Sequence, residues 1–283
     1  MNEKSQKGNP TVATFDNPAR QPSLFIPHGG GPCFFMKWTM GPPETWEKTR
    51  AFLESIQSSL PERPRALLVV SGHWEEDATT ASAAESPELI FDYSGFPPET
   101  YQLTWPAPGS PELAGKVQQL LQQKGLSARL SATRGYDHGV FIPLKVAFPA
   151  ANIPVVSLSL ESSLDPALHL AVGGALAPLR DQGVLIIGSG MSFHNLRALF
   201  SGGALEPSRE FDSWLEETVK SPVSERNARL KEWKKAPQAT FAHPREEHLI
   251  PLMVAAGAGG NSTGKLVFRD RPMNAMISAY RWD

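Results

Sequence analysis

Three of the seven histidines in this sequence lie at or just beyond the ends of apolar segments that are typical of buried strands. They are His28 after residues 23–27, His73 after residues 66–71 and His194 after residues 184–188. In open α/β sheets, ligands bind outside the carboxyl ends of the strands, so we expect these imidazoles to converge on one crevice. A single histidine in such a place is more often a core residue with a satisfied hydrogen bond. The repeated placement favours a shared site.

The cysteine content restricts the metal ligands that such a site can use. Cys33 is the only cysteine among the 283 residues. It cannot form an intramolecular disulfide, and a thiolate zinc site or an iron–sulfur cluster would need several cysteines. Any metal bound by this chain is therefore expected to be held by imidazole and carboxylate groups.

Two further histidines delimit the sequence HPREEH at residues 243–248, which is predicted to open a helix over residues 244–258 with a kink at Pro251. The two imidazoles are five positions apart, on different faces of a regular helix, which argues against one metal being held by both. His248 is predicted to face inward. His243 is predicted either to have a structural role or to support a ligand residue from behind.

The two remaining histidines have local explanations. His138 lies in a polar turn, YDHG at residues 136–139, directly before an apolar segment. It either contacts a substrate or bonds to the backbone of its own turn. His169 lies between two leucines on a helix of surface type, and we expect it to be solvated.

Glycines stand beside two of the strand-end histidines: Gly29, Gly30 and Gly31 follow His28, and Gly188 and Gly190 precede His194. They predict a sharp turn and a close approach of the backbone to a ligand, with loop flexibility as the alternative. The HGGG sequence and the G-x-S-x-G pattern at residues 260–264 also match esterase motifs. The esterase order requires a histidine after the serine, but the last histidine, His248, precedes Ser262. We therefore reject an esterase.

The elements that would position these residues alternate along the chain. Buried strands are predicted over residues 23–27, 66–71, 154–160 and 184–188, and helices over residues 44–60, 110–125, 165–179, 208–220 and 244–258. This alternation predicts an α/β fold with a central, largely parallel or mixed sheet flanked by helices in layers. We expect a disordered or extended lead-in over residues 1–20 and a single domain over residues 21–283.

Composition indicates a small-molecule partner. The formal net charge of −2 and the pI of about 6.4 give no general attraction to nucleic acid or to anionic membranes. The polar lead-in lacks the apolar stretch of a signal peptide, and no segment approaches the roughly 20 apolar residues of a membrane helix. We expect a cytoplasmic monomer or small homo-oligomer without nucleic-acid or membrane partners.

Six short segments, in order along the chain, resemble the LigB-like class III extradiol ring-cleavage dioxygenases, and within them the DOPA 4,5-dioxygenase branch. They are PHGGGP at residues 27–32, SGHW at 71–74, YSGFP at 93–97, YDHG at 136–139, GSGMSFHN at 188–195 and HPxxEH at 243–248. Each segment alone is a weak signal, but six in order are specific. The similarity runs from about Ser23 to the C-terminus.

The resemblance implies that His28, His73 and His248 are metal ligands. It also implies that His194 is the acid/base residue, and that His138 lies against the substrate or dioxygen. The implied cofactor is Fe(II), with Zn(II) as an alternative occupant of the same site. The implied reaction inserts O2 into a DOPA-like catechol next to its hydroxyls and gives a muconic semialdehyde.

Two alternatives concern the ligands and two concern the function. The usual ferrous oxygenase site has two histidines and a carboxylate, so Glu247 is an alternative third ligand. His194 is an alternative fourth ligand in a zinc form of the site. A non-catalytic, Memo-like protein that binds metal or peptide is the first alternative function. A zinc hydrolase with the same three histidines is the second.

Overall fold

The computed structural model describes residues 18–283. In this part of the chain the strands are β1 Ser23–Pro27, β2 Ala66–Glu76, β3 Thr79–Ser82, β4 Ala128–Ser131, β5 Val155–Glu161, β6 Val184–Gly190, β7 Lys265–Asp270 and β8 Ile277–Trp282. The α-helices are α1 Glu47–Ser59, α2 Pro111–Gln123, α3 His138–Ala147, α4 Pro166–Leu176, α5 Leu196–Ser201, α6 Leu205–Lys220, α7 Val223–Lys231, α8 Ala239–Ala242 and α9 Ile250–Ala258.

All eight strands form one mixed sheet in the order β4-β3-β5-β2-β6-β1-β8-β7. The central strands β5, β2, β6 and β1 are parallel to one another. Strands β8 and β7 join antiparallel on one side, and β3 pairs antiparallel with β5 on the other. Every residue of β1 and β6 is buried, as expected for parallel strands that are covered on both faces. This arrangement confirms the predicted α/β fold with a mixed sheet.

Two helices cover opposite faces of β6 next to its carboxyl end. Gly188 faces α9, where a Cβ atom would lie 2.2 Å from the main-chain oxygen of Pro251. The next residue, Ser189, points to the other face and donates a hydrogen bond from its hydroxyl to the main-chain oxygen of Gly139 in α3. The strand end is therefore held between the start of α9 and the start of α3.

The predicted helix over residues 244–258 was wrong in its first half. The helix observed is Ile250–Ala258, and residues 243–249 form turns instead. Pro251 lies in the first turn of α9, where its missing N–H leaves no hydrogen bond unmade, so the predicted kink is not present. His248 thus belongs to a turn that enters the helix.

The strand that carries His73 is longer than predicted. β2 continues to Glu76, and its pairing with β5 shifts register between Val70 and Glu75. His73 therefore lies inside the strand, at an irregularity that redirects its side chain, rather than beyond the strand end.

The predicted lead-in lies mostly outside the described residues, which begin at position 18. Within residues 18–283, no helix is both long enough and apolar enough to cross a membrane.

Candidate functional site

Three imidazoles converge at the carboxyl end of the central strands. His28 follows β1 directly, His73 lies in β2, and His248 lies in the turn before α9. The Nε2 atom of His73 is 3.3 Å from that of His28 and 3.2 Å from that of His248. Residues that are far apart in sequence thus present the same ring nitrogen to one point.

The outer nitrogens of two of these rings are fixed by acceptors. The Nδ1 atom of His28 donates to the main-chain oxygen of Gly29 at 2.9 Å, and that of His248 donates to Oε1 of Glu247 at 2.8 Å. A carbonyl or a carboxylate can only accept, so the proton is on Nδ1 and the lone pair is on Nε2. The lone pairs of these two rings therefore face the centre of the cluster.

Converging lone pairs suit a cation. Two nitrogens that are each about 2.1 Å from one ion, at tetrahedral to octahedral angles, lie roughly 3.0–3.4 Å apart. The separations within the cluster fall in this range. Imidazole nitrogen suits zinc and iron among other metals, so the donor set fits both metals expected from the sequence.

Burial keeps the three rings neutral. It lowers the pKa of His28, His73 and His248 well below the ordinary 6.5, and the neighbouring histidines lower each pKa further. A ring that resists protonation keeps the lone pair that a metal requires.

His194 joins the cluster from beyond the end of β6. Its ring stacks on that of His248, with centroids 3.4 Å apart and planes at 17°. Its Nδ1 atom is 3.4 Å from Oε1 of Glu247. The two rings thus share one carboxylate, which lies on the Nδ1 side of His248, away from the converging Nε2 atoms.

Glu247 is held as an anion by its neighbours. Burial opposes its ionisation, but His194 and the Arg245 guanidinium hold its pKa below the ordinary value. Nη1 of Arg245 is 3.5 Å from Oε2 of Glu247, and the same guanidinium forms two hydrogen bonds, of 2.6 and 2.5 Å, to Glu75. The carboxylate is therefore anchored on the side opposite the two imidazoles.

A second carboxylate supports His138. Oδ1 of Asp92 accepts hydrogen bonds of 2.9 Å from both the backbone N–H and the Nδ1 atom of His138. Oδ2 of Asp92 is 3.7 Å from Nδ1 of His73, and the His138 and His73 rings lie 3.9 Å apart. Burial opposes the ionisation of Asp92, but His138 holds its pKa below the ordinary value. Asp92 thus links His138 to the converging imidazoles.

The sequence analysis missed Asp92. The available signal was its position directly before the YSGFP segment at residues 93–97, which did carry the family resemblance. The structure brings together all five histidines that were predicted to form the site, namely His28, His73, His138, His194 and His248.

Only some of the predicted glycine positions face the site. Gly29, with φ of +86°, and the two glycines after it line the cavity beside His28. Gly190 serves packing instead, because a Cβ atom there would lie 2.2 Å from the main-chain oxygen of His248. This contact, with the hydrogen bond from Met191 N–H to the same oxygen at 3.0 Å, holds the His248 turn against β6.

Two histidines lie outside the site. The prediction that His169 is solvated was wrong, because the residue is buried and bonds through both ring nitrogens to the backbone of Glu161 and Asp165. His243 is also buried, and its Nε2 atom donates to the main-chain oxygen of Ser192 at 3.0 Å.

His243 is expected to make stability depend on pH. Burial lowers its pKa from 6.5 to about 3, although the bond to Ser192 opposes the shift. Below pH 6.5 the unfolded chain binds a proton that the folded chain does not, so the free energy of unfolding falls as pH falls from 6.5 towards 3. This one group should contribute about 1.5–2 kcal/mol of loss between pH 6.5 and pH 5.

The measurement is urea unfolding of metal-free protein at several pH values, for wild type and His243→Gln. The glutamine can still donate to Ser192 but does not titrate, so its free energy of unfolding should fall less steeply over this window. Equal pH dependence in the two proteins would contradict the assignment.

A cavity of about 330 Å³ opens over the histidines. Its walls are largely aromatic and aliphatic, and include Trp38, Trp46, Tyr93, Phe96, Met191 and Phe193. The size falls within the roughly 300–1,000 Å³ of small-molecule sites. The histidine cluster is therefore open to a ligand of modest size.

Known proteins resemble this chain over most of its length. A family model described as the catalytic LigB subunit of aromatic ring-opening dioxygenase matches residues 22–279. The 4,5-DOPA dioxygenase extradiol of Beta vulgaris is 42% identical over 224 residues, covering 77% of this chain and 83% of that protein. Dioxygenase tasH of Hapsidospora irregularis is 36% identical over 287 residues, covering 92% and 85% respectively. The crystal structure of the uncharacterized protein JW3007 from Escherichia coli K12 has a TM-score of 0.74 and 28% identity, and covers 93% of this chain and 100% of that one.

Proposed function

This chain belongs to the LigB family of catalytic subunits of aromatic ring-opening dioxygenases, and on that premise we propose that His28, His73 and His248 hold its metal. The chain is an extradiol dioxygenase, an enzyme that opens a catechol ring with dioxygen. The observation that carries the ligand proposal is the position of the His73 Nε2 atom, which lies 3.3 Å from that of His28 and 3.2 Å from that of His248.

We propose Fe(II) as the active metal. When bound, it would supply open coordination positions for catecholate and dioxygen and pass electron density between them. Three protein ligands leave room for both. Zn(II) fits the same nitrogens and is proposed as an inactive occupant.

His194 is proposed to move the substrate proton. The Glu247 carboxylate beside Nδ1 favours a proton on that atom, which leaves Nε2 as the base. From this position Nε2 accepts a proton from a catechol hydroxyl and later returns it to an oxygen of the opening ring. The stacking on His248 places the base next to a proposed ligand.

His138 is proposed to stabilise negative charge that develops on dioxygen. Its Nδ1 atom donates to Asp92, and its ring centroid lies 3.9 Å from that of His73, beside the proposed metal site. The ring is therefore placed to act electrostatically on charge that develops at the site. The pairing with Asp92 fixes the orientation of the ring.

Asp92→Asn is expected to lower kcat/KM by about 10–100-fold while the bound metal remains at its wild-type level. The asparagine keeps the size of the side chain but removes the charge that orients His138. Steady-state oxygen consumption with catechol as the substrate measures kcat/KM, and mass spectrometry measures the bound metal. Asp165→Asn is a matched control, because Asp165 caps α4 away from the site and asparagine caps equally well. Equal activity of the two variants would contradict the role of Asp92.

The location of Glu247 supports an orienting role rather than the ligand role left open by the sequence. Its Oε1 atom accepts a hydrogen bond from the outer nitrogen of His248, and its Oε2 atom lies 3.5 Å from the Arg245 guanidinium, on the side away from the converging Nε2 atoms. Hydrogen bonds of this kind fix the ring of a metal-bound histidine and raise its basicity. The relatives named as dioxygenases support neither a Memo-like binding protein nor a zinc hydrolase.

We further propose that residues 21–283 act as one catalytic domain whose partners are a catechol and O2. A cytoplasmic monomer or small homo-oligomer, without nucleic acid or membrane, is the proposed setting. The one cysteine, Cys33, is a buried free thiol, which suits a reducing compartment. The DOPA named for several relatives is a candidate substrate.

The test of the function is anaerobic loading with Fe(II), followed by catechol and then air. Loss of catechol with growth of a yellow ring-opened product, at one O2 per catechol, is the expected result. An enzyme that is fully loaded with Fe(II) and opens no catechol would overturn the proposal.

A further inference from the structure

The cavity over the histidines has an apolar wall that continues to the protein surface. At its inner end lie His28 and His248, which are 2% and 4% exposed. At its outer end lie Met40, Leu196 and Phe200, which are 43%, 54% and 63% exposed. Large apolar side chains at such exposure are a feature of binding sites when they are contiguous with a pocket.

Formal charge is excluded from this wall. Among the described residues that line the cavity there is no Lys, Arg, Asp or Glu. The nearest carboxylates, Asp92 and Glu247, lie behind imidazoles and are bonded to their Nδ1 atoms. The exposed cations Lys37, Arg197 and Arg271 each stand next to a lining residue in sequence but do not line the cavity themselves.

The direction of a bound catechol follows from these two ends. Its hydroxyls must reach the histidines, so a substituent on the far side of the ring extends along the apolar wall towards the mouth. An apolar substituent gains free energy there by leaving water, whereas a carboxylate or ammonium group loses hydration without a partner. The apolar wall and the mouth of the cavity therefore favour catechols whose substituent is uncharged.

We propose that the preferred substrates are catechols with an uncharged, apolar substituent, and that amino-acid catechols such as DOPA are weaker substrates. This inference rests on the proposed function, because it assumes that the catechol hydroxyls meet the histidine cluster. Leu196 and its neighbours at the mouth are the residues that determine this specificity.

The test compares side chains of matched length: 4-propylcatechol, 3-(3,4-dihydroxyphenyl)propanoate, dopamine and L-DOPA. Steady-state kcat/KM of the Fe(II)-loaded enzyme is expected to be at least tenfold higher for 4-propylcatechol than for the propanoate or for DOPA. A kcat/KM for DOPA or the propanoate that equals or exceeds that of 4-propylcatechol would overturn the inference.

A matched pair of variants tests the mouth directly. Leu196→Arg places a cation at the mouth and is expected to reduce the preference for 4-propylcatechol over the propanoate by at least fivefold. Leu130→Arg is the control, because Leu130 is also exposed, at 43%, but lies on the edge strand β4 and does not line the cavity. An equal preference in the two variants would overturn the role of the mouth.

Binding without turnover separates this inference from the proposed function. Trp38 and Trp46 line the cavity, so ligand binding under nitrogen should quench tryptophan fluorescence. The Kd of 4-propylcatechol is expected to be at least tenfold below that of the propanoate. If unsubstituted catechol is not opened, the proposed function fails. The ratio of the Kd values of 4-propylcatechol and the propanoate still supports or overturns the inferred selection by charge.

Discussion

Replacing His194 by alanine is expected to lower kcat by a factor of about 10²–10⁴ while the protein keeps its metal, because positioned proton transfer contributes that much to a rate. The imidazole stacks on His248, and its Nδ1 atom lies 3.4 Å from Oε1 of Glu247, so it can act on a substrate proton without supplying a ligand. Single-turnover kinetics with catechol measure the rate of the reaction, and metal analysis of the same sample measures how much metal the variant retains.

Two results would contradict this role for His194. Loss of metal from His194→Ala would make His194 a ligand, as in the zinc form considered from the sequence. A wild-type kcat would remove it from proton transfer altogether. Circular dichroism of the variant provides the folding control, since the His194 side chain is about 20% exposed and its removal leaves the sheet intact.

Alanine at His28, His73 or His248 is expected to lower metal affinity strongly. The loss should exceed the roughly 10–100-fold that is typical when a residue that only orients a ligand is replaced. Each of these substitutions removes one of the three converging nitrogens, of which that of His73 lies 3.3 Å from that of His28 and 3.2 Å from that of His248. Activity should fall with the bound metal. Equilibrium dialysis against a buffered metal series measures the affinity of each variant.

Glu247→Gln is the comparison that separates a ligand from an orienting residue. It keeps the shape of the side chain next to Nδ1 of His248, so metal affinity is expected to fall by no more than about 10–100-fold. A larger loss for Glu247→Gln than for His248→Ala would instead support two histidines and a carboxylate as the ligands.

The sheet was predictable because its central strands contain apolar runs, such as residues 24–26 and 184–187. Residues of β1 and β6 are buried on both faces, and a continuous apolar run is the pattern that such strands leave in a sequence. The family resemblance at the strand ends, carried by six short segments, was confirmed by the match over residues 22–279.

The errors arose where local pattern and tertiary contact disagree. Residues 244–249 resemble the first turns of a helix, but the main-chain oxygen of His248 accepts a hydrogen bond from Met191, directly after β6, and the His248 turn fits against Gly190. His169 was misplaced because its leucine neighbours suggested an amphipathic surface helix. In the structure α4 packs against α9, and His169 is buried with its ring bonded to the backbone of Glu161 and Asp165.

Asp92 was not predictable from its own neighbourhood. Its function depends on His138, which is 46 positions away in sequence, and a single aspartate in a loop carries no periodic signal. The same holds for the shared use of Glu247 by His194 and His248, since only the fold brings His194 next to this turn.

The central claim is that one metal ion is held by His28, His73 and His248. The most direct measurement is an anomalous difference map, at the iron edge, from crystals of the Fe(II)-loaded protein grown without oxygen. We predict one peak, about 2.1 Å from the Nε2 atoms of all three residues. A peak between His194 and Glu247, with any of the three Nε2 atoms left out, would contradict the account.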